Sequence, residues 1–392
     1  MPLVFRLCGN NRMCVLISCL KAWVTHWLSR NNEMWLRIIC RRPHTRMISL
    51  MLLSFCYMIM LLPSYYHKAD TLKSYTMAPS RIARLHNQTA QILAQRCRPN
   101  SSQVKLYARY PTKRLMQVPV FVEERGLPGS QDTLPYKPPY GFQGCEEQLQ
   151  EILSMLPETG LPERLGPVGC RRCVVVGNGG ILIGSKLGPY IDQHHIVIRM
   201  NNGPVVGYEQ DVGSKTTLRI TYPEGASKTP IDYDPKSLFV AVIYKSADFA
   251  WLKAVVSKKP MTFAEKLWFW QSVVESIPLK VENFRIFNLD IIRETALNFL
   301  SYPDPHSSQW KWMKHPTLGV TSIITALHLC DEVNMAGFGY DMNQLHLPMH
   351  YYETVSMAAM NAQAMHDISL EKLFLLSLVT SGVVNDLTGG IN

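Results

Sequence analysis

The chain has 392 residues, of which 47% are hydrophobic and 18% charged, enough apolar material for one large core and too few charges for a mainly disordered protein. The formal net charge is +10, but residues 1–46 hold eight basic side chains against one acidic one, so seven of those charges lie there. The remainder is close to neutral and lacks the broad basic surface that a phosphate backbone requires, which argues against nucleic acid as a partner.

Residues 47–66, MISLMLLSFCYMIMLLPSYY, carry no charged side chain and end in a tyrosine pair typical of a membrane interface. They predict one transmembrane signal anchor, and their short length fits a thin membrane early in the secretory pathway. Arginines directly before this segment predict, by the positive-inside rule, a cytoplasmic tail over residues 1–46 and a lumenal location for residues 67–392. A cleaved signal peptide is the weaker alternative, because no small-x-small cleavage site follows the apolar run.

The predicted lumenal location decides how the cysteines after the anchor are interpreted. Five lie there: Cys97, Cys145, Cys170, Cys173 and Cys330. In an oxidising lumen they are disulfide candidates before zinc ligands, and no second closely spaced Cys or Cys/His pair completes a zinc site with Cys170 and Cys173. An odd number leaves one cysteine unpaired. Two N-glycosylation sequons, at Asn87 and Asn100, fit the same orientation.

The lumenal part divides by composition into a polar stem over residues 67–96 and a folded domain over residues 97–392. From Cys170 onward, apolar runs alternate with helical stretches. The predicted strands are Val174–Val176, Ile196–Arg199, Thr217–Ile220, Leu238–Ile243, Phe284–Phe287 and Glu332–Ala336. The predicted helices are Ala247–Val256, Phe263–Ser276, Ile291–Leu300, Leu318–Leu329 and Leu370–Val379. This alternation predicts an α/β fold with a central, mostly parallel sheet flanked by helices, whose ligands bind at the carboxyl ends of the strands.

Two of the predicted strands end in asparagine and glycine. Val174–Val176 runs into Gly177–Gly180, a turn that lets the backbone around Asn178 approach a ligand closely. A strand-to-helix turn that needs glycine only for its geometry explains this stretch equally well. Ile196–Arg199 is followed by Asn201, whose amide suits a base, ribose or phosphate edge, although plain Asn-Gly turns are common.

Three further stretches carry chemically useful side chains. Thr317 is placed to cap the helix that begins at Leu318, and the free N–H groups there can bind an anion, although capping alone is the simpler interpretation. His350 and His366 are candidates for a general base, because the imidazole side chain ordinarily exchanges its proton near neutral pH. Residues 232–234, Asp-Tyr-Asp, could ligate a divalent ion, but they lie between prolines without a nearby third ligand, which predicts a solvated turn.

These stretches, in this order, resemble the motifs of the sialyltransferase family of type II Golgi membrane enzymes. CRRCVVVGNGG through RMNNGPVVGYEQDVGSKTTLRITYPEGA is similar to the large sialyl motif, and HPTLGVTSIITALHLCDEVNMAGFGYD is similar to the small one. HYYE resembles the third motif, and His366 with Glu371 resembles the very small one. The resemblance covers roughly residues 140–392 and implies a variant nucleotide-sugar transferase fold, GT-A-like, with its catalytic domain in the Golgi lumen.

The resemblance implies that sialic acid passes from CMP-sialic acid to a galactose hydroxyl with inversion, without a metal ion or other cofactor. It implies that Asn178 and Asn201 contact the CMP part of the donor. Thr317 and Gly319 are expected to lie against the same donor from the start of a helix.

Catalytic roles and disulfides are implied in the same way. His350 is expected to bind the donor phosphate and His366 to remove the acceptor proton. Family members join the two sialyl motifs by a disulfide. The expected disulfides are Cys173–Cys330 and Cys97–Cys170. Cys145 is then expected to be unpaired. His315 stands where several members have Tyr, and Asp367 stands where Asn is usual, so contacts at those two positions are not carried over.

The acceptor is expected to be terminal galactose, because HYYE and RITYPEGA resemble the α-2,3 branch of the family. CRPN, SVVESIPL, SMAAMNAQAMH and GVVNDLTGGI favour the glycolipid lactosylceramide within that branch. HYYETV is nearer to enzymes that act on N-acetyllactosamine of glycoproteins, which is the first alternative. A membrane-tethered glycan-binding protein without turnover is the second. The expected partners are therefore CMP-sialic acid, a β-galactoside and the Golgi membrane, and a homodimer is compatible with the sequence.

Overall fold

The computed structural model describes residues 76–123, 136–166, 169–306, 314–339, 345, 347–362 and 365–391, together with Met51 and Phe55. The predicted tail and anchor, residues 1–66, lie outside the described residues apart from those two, which are helical and exposed. In the described part of the chain, no helix has both the length and the apolar character needed to cross a bilayer.

The chain divides into two compact units. The larger comprises Ser74–Asp341, Pro348–Glu353 and Met365–Asn392, and it contains the sheet. The smaller comprises Met1–Lys73, Met342–Leu347 and Thr354–Ala364, and its described part includes the short 3₁₀ helix Met357–Ala362.

The larger unit is built on a sheet of seven parallel strands among the described residues. These are β1 (Arg172–Val176), β2 (Ile196–Met200), β3 (Leu218–Thr221), β4 (Leu238–Ala241), β5 (Phe284–Ile286), β6 (Glu332–Ala336) and β7 (Val384–Asp386). Their order is β5-β4-β3-β2-β1-β6-β7, and every neighbouring pair is parallel. The predicted parallel α/β fold is confirmed, with all six predicted strands present. The short polar strand β7 carries no apolar run and was not predicted.

Helices cover both faces of this sheet. They are α1 (Pro79–Ala94), α2 (Ser101–Arg109), α3 (Glu146–Met155), α4 (Gly188–Ile191), α5 (Glu209–Val212), α6 (Asp248–Ser257), α7 (Phe263–Lys266), α8 (Leu289–Arg293), α9 (Leu318–Leu329) and α10 (Ile368–Thr380). A π-helical turn, Glu294–Phe299, continues α8. Helix α9 is the most deeply packed, with ten of its twelve residues buried, and it lies against β1, β2, β3 and β6. Its bounds are those predicted.

Strand β1 is apolar along most of its length because both of its faces are covered. Cys173 and Val175 belong to the main hydrophobic core, which includes α9. Val174 and Val176 face the other way and pack in a second cluster that includes Leu85 of α1. Since both faces of the strand are buried, no alternation of polar and apolar residues is required.

The helix predicted over Phe263–Ser276 ends after one turn. A capping box between Thr262 and Glu265 starts α7, and α7 ends at Lys266. Beyond it the chain forms a turn in which the Trp268 N–H donates to the Glu265 carbonyl at 3.3 Å. The stretch that follows is tied to α6 by the Trp251 indole Nε1–H, which donates to the Val274 carbonyl at 2.6 Å. The apolar residues in this stretch have helical spacing, but several of them are exposed and do not form the buried face of a helix.

Part of the predicted stem is a packed helix. Leu85 of α1 is buried, and the ring of His86 is hydrogen-bonded to the Ser185 carbonyl at 2.9 Å. The Arg172 guanidinium on β1 donates to the carbonyls of Leu93 and Gln95 at the end of the helix. The compact unit therefore begins upstream of the domain boundary predicted at residue 97. The composition of residues 67–96 gave no sign of this packing, because only Leu85 and Thr89 of α1 are buried.

The two sequons lie in this region with exposed asparagines and buried hydroxyls. Thr89, which completes the Asn87 sequon, is fully buried. Ser102, which completes the Asn100 sequon, donates to the Val383 carbonyl at 2.7 Å and is also buried. Because the hydroxyl of each sequon is inaccessible in the folded chain, glycosylation of either asparagine has to precede folding of these helices.

Two disulfides fasten the sheet to its surroundings. Cys97 is joined to Cys170 and Cys173 to Cys330, with Cα–Cα distances of 5.8 and 6.0 Å. These are the pairs that the resemblance implies. Cys173 lies on β1 and Cys330 directly follows α9, so this bridge ties an interior strand of the sheet to the buried helix. Cys145 is the free, buried cysteine of the described residues.

Candidate active site

The carboxyl ends of β1 and β6 form the centre of the site. Chain connections leave β1 for β2 on one side, while β6 lies on the other side, so this is the point where the strand order reverses. Open parallel α/β sheets bind ligands in a crevice at such a point, and we call this region the crevice. Gly177 follows β1 and donates its N–H to the Ala336 carbonyl at 2.7 Å. A Cβ atom on Gly177 would lie 2.6 Å from the carbonyl oxygen of Gly337, which itself has φ +78°. Only glycine permits this approach.

Asn178 and His350, far apart in sequence, meet at this crevice. Gly179 forms an isolated antiparallel bridge with His350, and the Tyr351 N–H donates to the Asn178 carbonyl at 3.0 Å. The Asn178 amide Nδ2 donates to the Met200 carbonyl at 3.4 Å, which links the loop after β1 to the end of β2. The residues around His350 are thus joined to the loop after β1 by an isolated bridge and one further backbone hydrogen bond.

Asn201 is held in the left-handed conformation, with φ +53°, directly after β2. Its Oδ1 accepts from the Thr221 hydroxyl at 3.3 Å. The Arg219 guanidinium, 1% exposed, donates to the carbonyls of Asn201 at 2.8 Å and Gly203 at 3.0 Å. This buried cation fixes the loop that presents Asn201 and was missed by sequence reasoning. Its one visible signal was a basic residue inside the apolar strand Leu218–Thr221.

The His350 ring is oriented by its neighbours in the HYYE stretch. Its Nδ1 is hydrogen-bonded to the carboxylate of Glu353, and its ring stacks on Tyr352 with a centroid distance of 5.5 Å. The Tyr352 hydroxyl donates to the Asn202 side chain at 2.8 Å, beside Asn201. With Nδ1 engaged by the carboxylate, Nε2 is the ring nitrogen available for a ligand.

A second group of side chains surrounds the start of α9. The Thr317 hydroxyl accepts from the Val320 N–H at 3.3 Å and so caps the helix. The Thr317 N–H and hydroxyl also contact the two carboxylate oxygens of Glu371, at 2.8 and 2.5 Å. Glu371 is 4% exposed, and burial raises its pKa to about 7. Sequence reasoning placed Glu371 in a motif but gave it no partner, and the partner is the cap of a helix 54 residues away.

His366 lies beside this cap. Its Nδ1–H donates to the His315 carbonyl at 2.7 Å, and its ring meets the His315 ring edge-on at 4.8 Å. Burial lowers the pKa of His366 below its ordinary value of 6.5. Because Nδ1 carries the proton, Nε2 of the neutral ring has a free lone pair, as a general base requires.

His315 connects His366 to a cavity. Its ring packs against Tyr244 at 4.9 Å, and burial, with the neighbouring His366, lowers its pKa to about 4. The cavity has a volume of about 200 Å³ and is lined by Tyr136, Pro138, Pro139, Tyr140, His306 and His315, among others. Its walls are mostly aromatic rings and prolines with a few polar atoms, the usual composition of a site for a small ligand.

The Phe338 ring connects the two groups. A Cβ atom on Gly319, at the start of α9, would lie 3.1 Å from its Cε1 atom. A Cβ atom on Gly177, after β1, would lie 3.2 Å from its Cδ2 atom, on the opposite edge of the same ring. The predicted residues thus form two adjoining groups, one with Asn178, Asn201 and His350, the other with Thr317, Gly319 and His366.

The solvated turn predicted over residues 232–234 is wrong for its first residue. Asp232 is buried, and its carboxylate accepts from the Ser227 hydroxyl at 2.9 Å. Its carbonyl accepts from the buried Arg219 guanidinium at 3.2 Å. Asp234 does stabilise a turn, since its carboxylate accepts from the Lys236 N–H. Within the described ranges, no group of three or more His, Cys, Asp or Glu side chains is arranged to hold a metal ion.

The chain is similar to known proteins of one family. The profile of glycosyltransferase family 29 (sialyltransferase) matches residues 121–383. The lactosylceramide alpha-2,3-sialyltransferase of Homo sapiens is 44% identical over 326 residues, 83% of this chain and 78% of the relative. The CMP-N-acetylneuraminate-beta-1,4-galactoside alpha-2,3-sialyltransferase of Mus musculus is 41% identical over 309 residues, 79% and 81% of the two chains. A mammalian sialyltransferase crystal structure superimposes with a TM-score of 0.59 and 25% identity, over 75% of this chain and 98% of the other.

The Glu371–Thr317 contact predicts a specific pH dependence of stability. Because the folded state raises the pKa of Glu371 from 4.5 to about 7, it binds the proton more tightly than the unfolded chain does. This group therefore makes the free energy of unfolding fall as pH rises from 4.5 to 7, by up to about 3 kcal/mol. Glu371→Gln mimics the protonated carboxyl and should abolish this contribution.

Urea unfolding at pH 4.5, 6 and 8 measures the effect as the difference between wild type and variant. The exposed control Glu147→Gln should keep the wild-type pH dependence. A Glu371→Gln curve that runs parallel to the wild-type curve would show that this carboxyl is not a buried proton acceptor.

Proposed function

The chain belongs to glycosyltransferase family 29, the sialyltransferases, and on that basis we propose that it transfers sialic acid from CMP-sialic acid to the 3-hydroxyl of the terminal galactose of lactosylceramide. The observation that carries the proposal is the meeting of Asn178, Asn201 and His350 at the sheet crevice, next to His366 and the capped helix α9. The 44% identity to lactosylceramide enzymes over 83% of the chain supports this acceptor.

The donor occupies the crevice at the ends of β1 and β2 in this proposal. Asn178 and Asn201 contact the CMP part, because their amides offer both donors and acceptors at the strand ends. His350 contacts the phosphate through Nε2, with Glu353 on the other ring nitrogen. The start of α9, at Thr317 and Gly319, lies along the donor and places the positive end of the helix dipole toward its negative charge.

His366 is the general base. Its Nε2 takes the proton of the galactose 3-hydroxyl while that oxygen bonds to the anomeric carbon of sialic acid, and the bond from that carbon to the CMP phosphate breaks. The electron pair of the broken bond leaves with CMP, and attack from the opposite face inverts the anomeric centre. The hydrogen bond from Nδ1 to His315 fixes the tautomer that this step requires.

The galactose end of the acceptor enters the cavity beside His315. Aromatic rings such as Tyr136 and Tyr140 can pack on the apolar face of a sugar, and the cavity adjoins the proposed base through His315. N-acetyllactosamine of glycoproteins is the alternative acceptor, supported by the 41% identity to the galactoside enzyme. We also propose a variant GT-A-like fold in a single-pass type II Golgi membrane protein anchored by residues 47–66, because that segment is uncharged and follows a basic tail.

Defined acceptors test the proposal. The purified full chain is given CMP-sialic acid with either lactosylceramide or a desialylated glycoprotein, and the initial rates of transfer are compared. We expect transfer to lactosylceramide to dominate, with the product linked to the galactose 3-hydroxyl. Dominant transfer to the glycoprotein would establish the alternative, and no transfer or CMP release with any galactoside would indicate a glycan-binding protein.

His366→Ala should lower the transfer rate by about 10²–10⁴-fold, because it removes the proton acceptor. CMP affinity, measured by calorimetric titration, should stay within about twofold of wild type. The control His195→Asn changes an exposed histidine at the opposite, amino end of β2 and keeps a side-chain acceptor for the Arg172 N–H, which donates to His195 Nδ1 at 3.0 Å. It should leave both quantities unchanged. Weakened CMP binding with an unchanged turnover would assign His366 to the donor.

Activity should be retained within about twofold in EDTA. The phosphate of CMP is a weakly basic leaving group, and the proposed base and helix start supply the remaining assistance. The measurement is the initial rate before and after chelation, with manganese added back. A large loss that manganese reverses would mean that a divalent ion takes part.

A further inference from the structure

The segment after α6 carries an unusual exposed surface. Phe263, Leu267, Trp268 and Trp270 are 65–79% exposed, although all four are large and apolar. They lie within eight residues of one another, and we call them the aromatic patch. Single exposed apolar side chains are common, but a cluster that contains two tryptophans marks an interaction surface.

The patch is presented on a well-anchored segment. The capping box of Thr262 and Glu265 fixes its first turn. Phe269, between the two tryptophans, is buried in the main core. The Met261 N–H donates to the Glu275 carboxylate at 2.8 Å and closes the base of the segment. The exposed side chains are therefore held outward by packing and hydrogen bonds of their neighbours.

The charges around the patch are those of a surface that meets negative charge. Glu265 is engaged by Thr262, and Glu275 is paired with Lys266 at 2.7 Å. Lys258 and Lys259 precede the patch, are exposed, and take part in no ion pair among the described residues. Over residues 258–275 three lysines stand against two glutamates, one of which is paired with Lys266. Tryptophan beside a net positive charge is the composition of segments that lie in the headgroup region of a bilayer.

The patch is connected to the donor crevice by one layer of packing. The Gln271 amide donates to the Glu224 carbonyl at 2.6 Å. Glu224 precedes Gly225, where a Cβ atom would lie 2.5 Å from Oδ1 of Asn201. Lys245 pairs with Glu224 at 2.9 Å, and its ammonium group lies 4.8 Å from the Phe269 ring centroid. A bilayer that holds the patch therefore also fixes the position of the crevice relative to the lipid headgroups.

We propose that the aromatic patch inserts into the headgroup region of the lumenal leaflet that carries the acceptor glycolipid. The inference rests on the proposed function, since lactosylceramide keeps its ceramide in the bilayer and exposes only its sugars. An enzyme that acts on such sugars transfers faster when its crevice is held at the same distance from the bilayer as the sugars. A soluble galactoside needs no such docking.

Paired acceptors test the proposal with the full chain in phosphatidylcholine vesicles that contain anionic phosphatidylserine. Transfer to lactosylceramide in the same vesicles is compared with transfer to free lactose. Changing Phe263, Leu267, Trp268 and Trp270 to Ser should lower transfer to lactosylceramide tenfold or more and leave transfer to lactose within twofold. The milder variant Leu267→Ser/Trp268→Ser should show the same selective loss, several-fold in size. Val104→Ser and Leu373→Ser remove equally exposed apolar side chains elsewhere and should change neither rate.

Lipid contact is read directly by tryptophan fluorescence. Vesicles of brominated phosphatidylcholine should quench the wild-type chain more strongly than Trp268→Phe/Trp270→Phe, which keeps the patch apolar but removes its two indoles. That variant should retain wild-type transfer to lactosylceramide. Equal quenching of the two proteins would overturn the proposal.

The remaining outcomes separate this inference from the proposed function. A wild-type chain that modifies lactose or glycoprotein but not lactosylceramide contradicts the proposed acceptor, while the quenching difference still reports on lipid contact. Equal losses on lactosylceramide and lactose in the serine variants would overturn the docking role and assign the patch to folding. Loss of self-association in those variants with unchanged transfer to lactosylceramide would overturn it in favour of a contact between two copies of the chain.

Discussion

The close contact between the ends of β1 and β6 is the constraint on which the rest of the site depends. Gly177 and Gly337 let two backbones approach to a distance that any side chain would prevent. That contact lets the loop after β1 turn toward the segment around His350 and pair with it. The Phe338 ring then fills the space between this loop and the start of α9. Glycine at the strand ends thus sets the spacing of the whole crevice.

Buried charged groups hold the functional loops in place around this contact. Arg219 is almost completely buried, and its guanidinium donates hydrogen bonds to backbone carbonyls after β2, where Asn201 lies. Glu371 is buried against the N–H and hydroxyl of Thr317 and joins the end of the chain to the start of α9. Burying such groups costs free energy, so they are kept where their hydrogen bonds determine geometry. Their partners fix the relative positions of the proposed donor site and the proposed base.

Most of the fold was predictable from local patterns. The apolar run Ile196–Arg199 predicts a strand, because a strand that is buried on both faces requires apolar residues along its length. The capped stretch Leu318–Leu329 predicts a buried helix for the same reason. Asn178, Asn201 and His366 were named from motifs, and the cysteine pairs came from a family resemblance. The helix predicted over Phe263–Ser276 was wrong for most of its length, because helical spacing of apolar residues predicts a helix even where those residues are exposed.

The sequence by itself therefore determined the order of strands and helices along the chain, the parallel class of the sheet and the residues that we propose for the chemistry. Tertiary structure alone decided that α1 packs on the domain, that Asp232 is buried and that Glu371 contacts the residue that caps a distant helix. The physical reason is distance along the chain. Propensity and periodicity act over a few residues, whereas the burial of a carboxylate or a polar helix depends on partners far away in sequence. Those partners meet only when the sheet has formed.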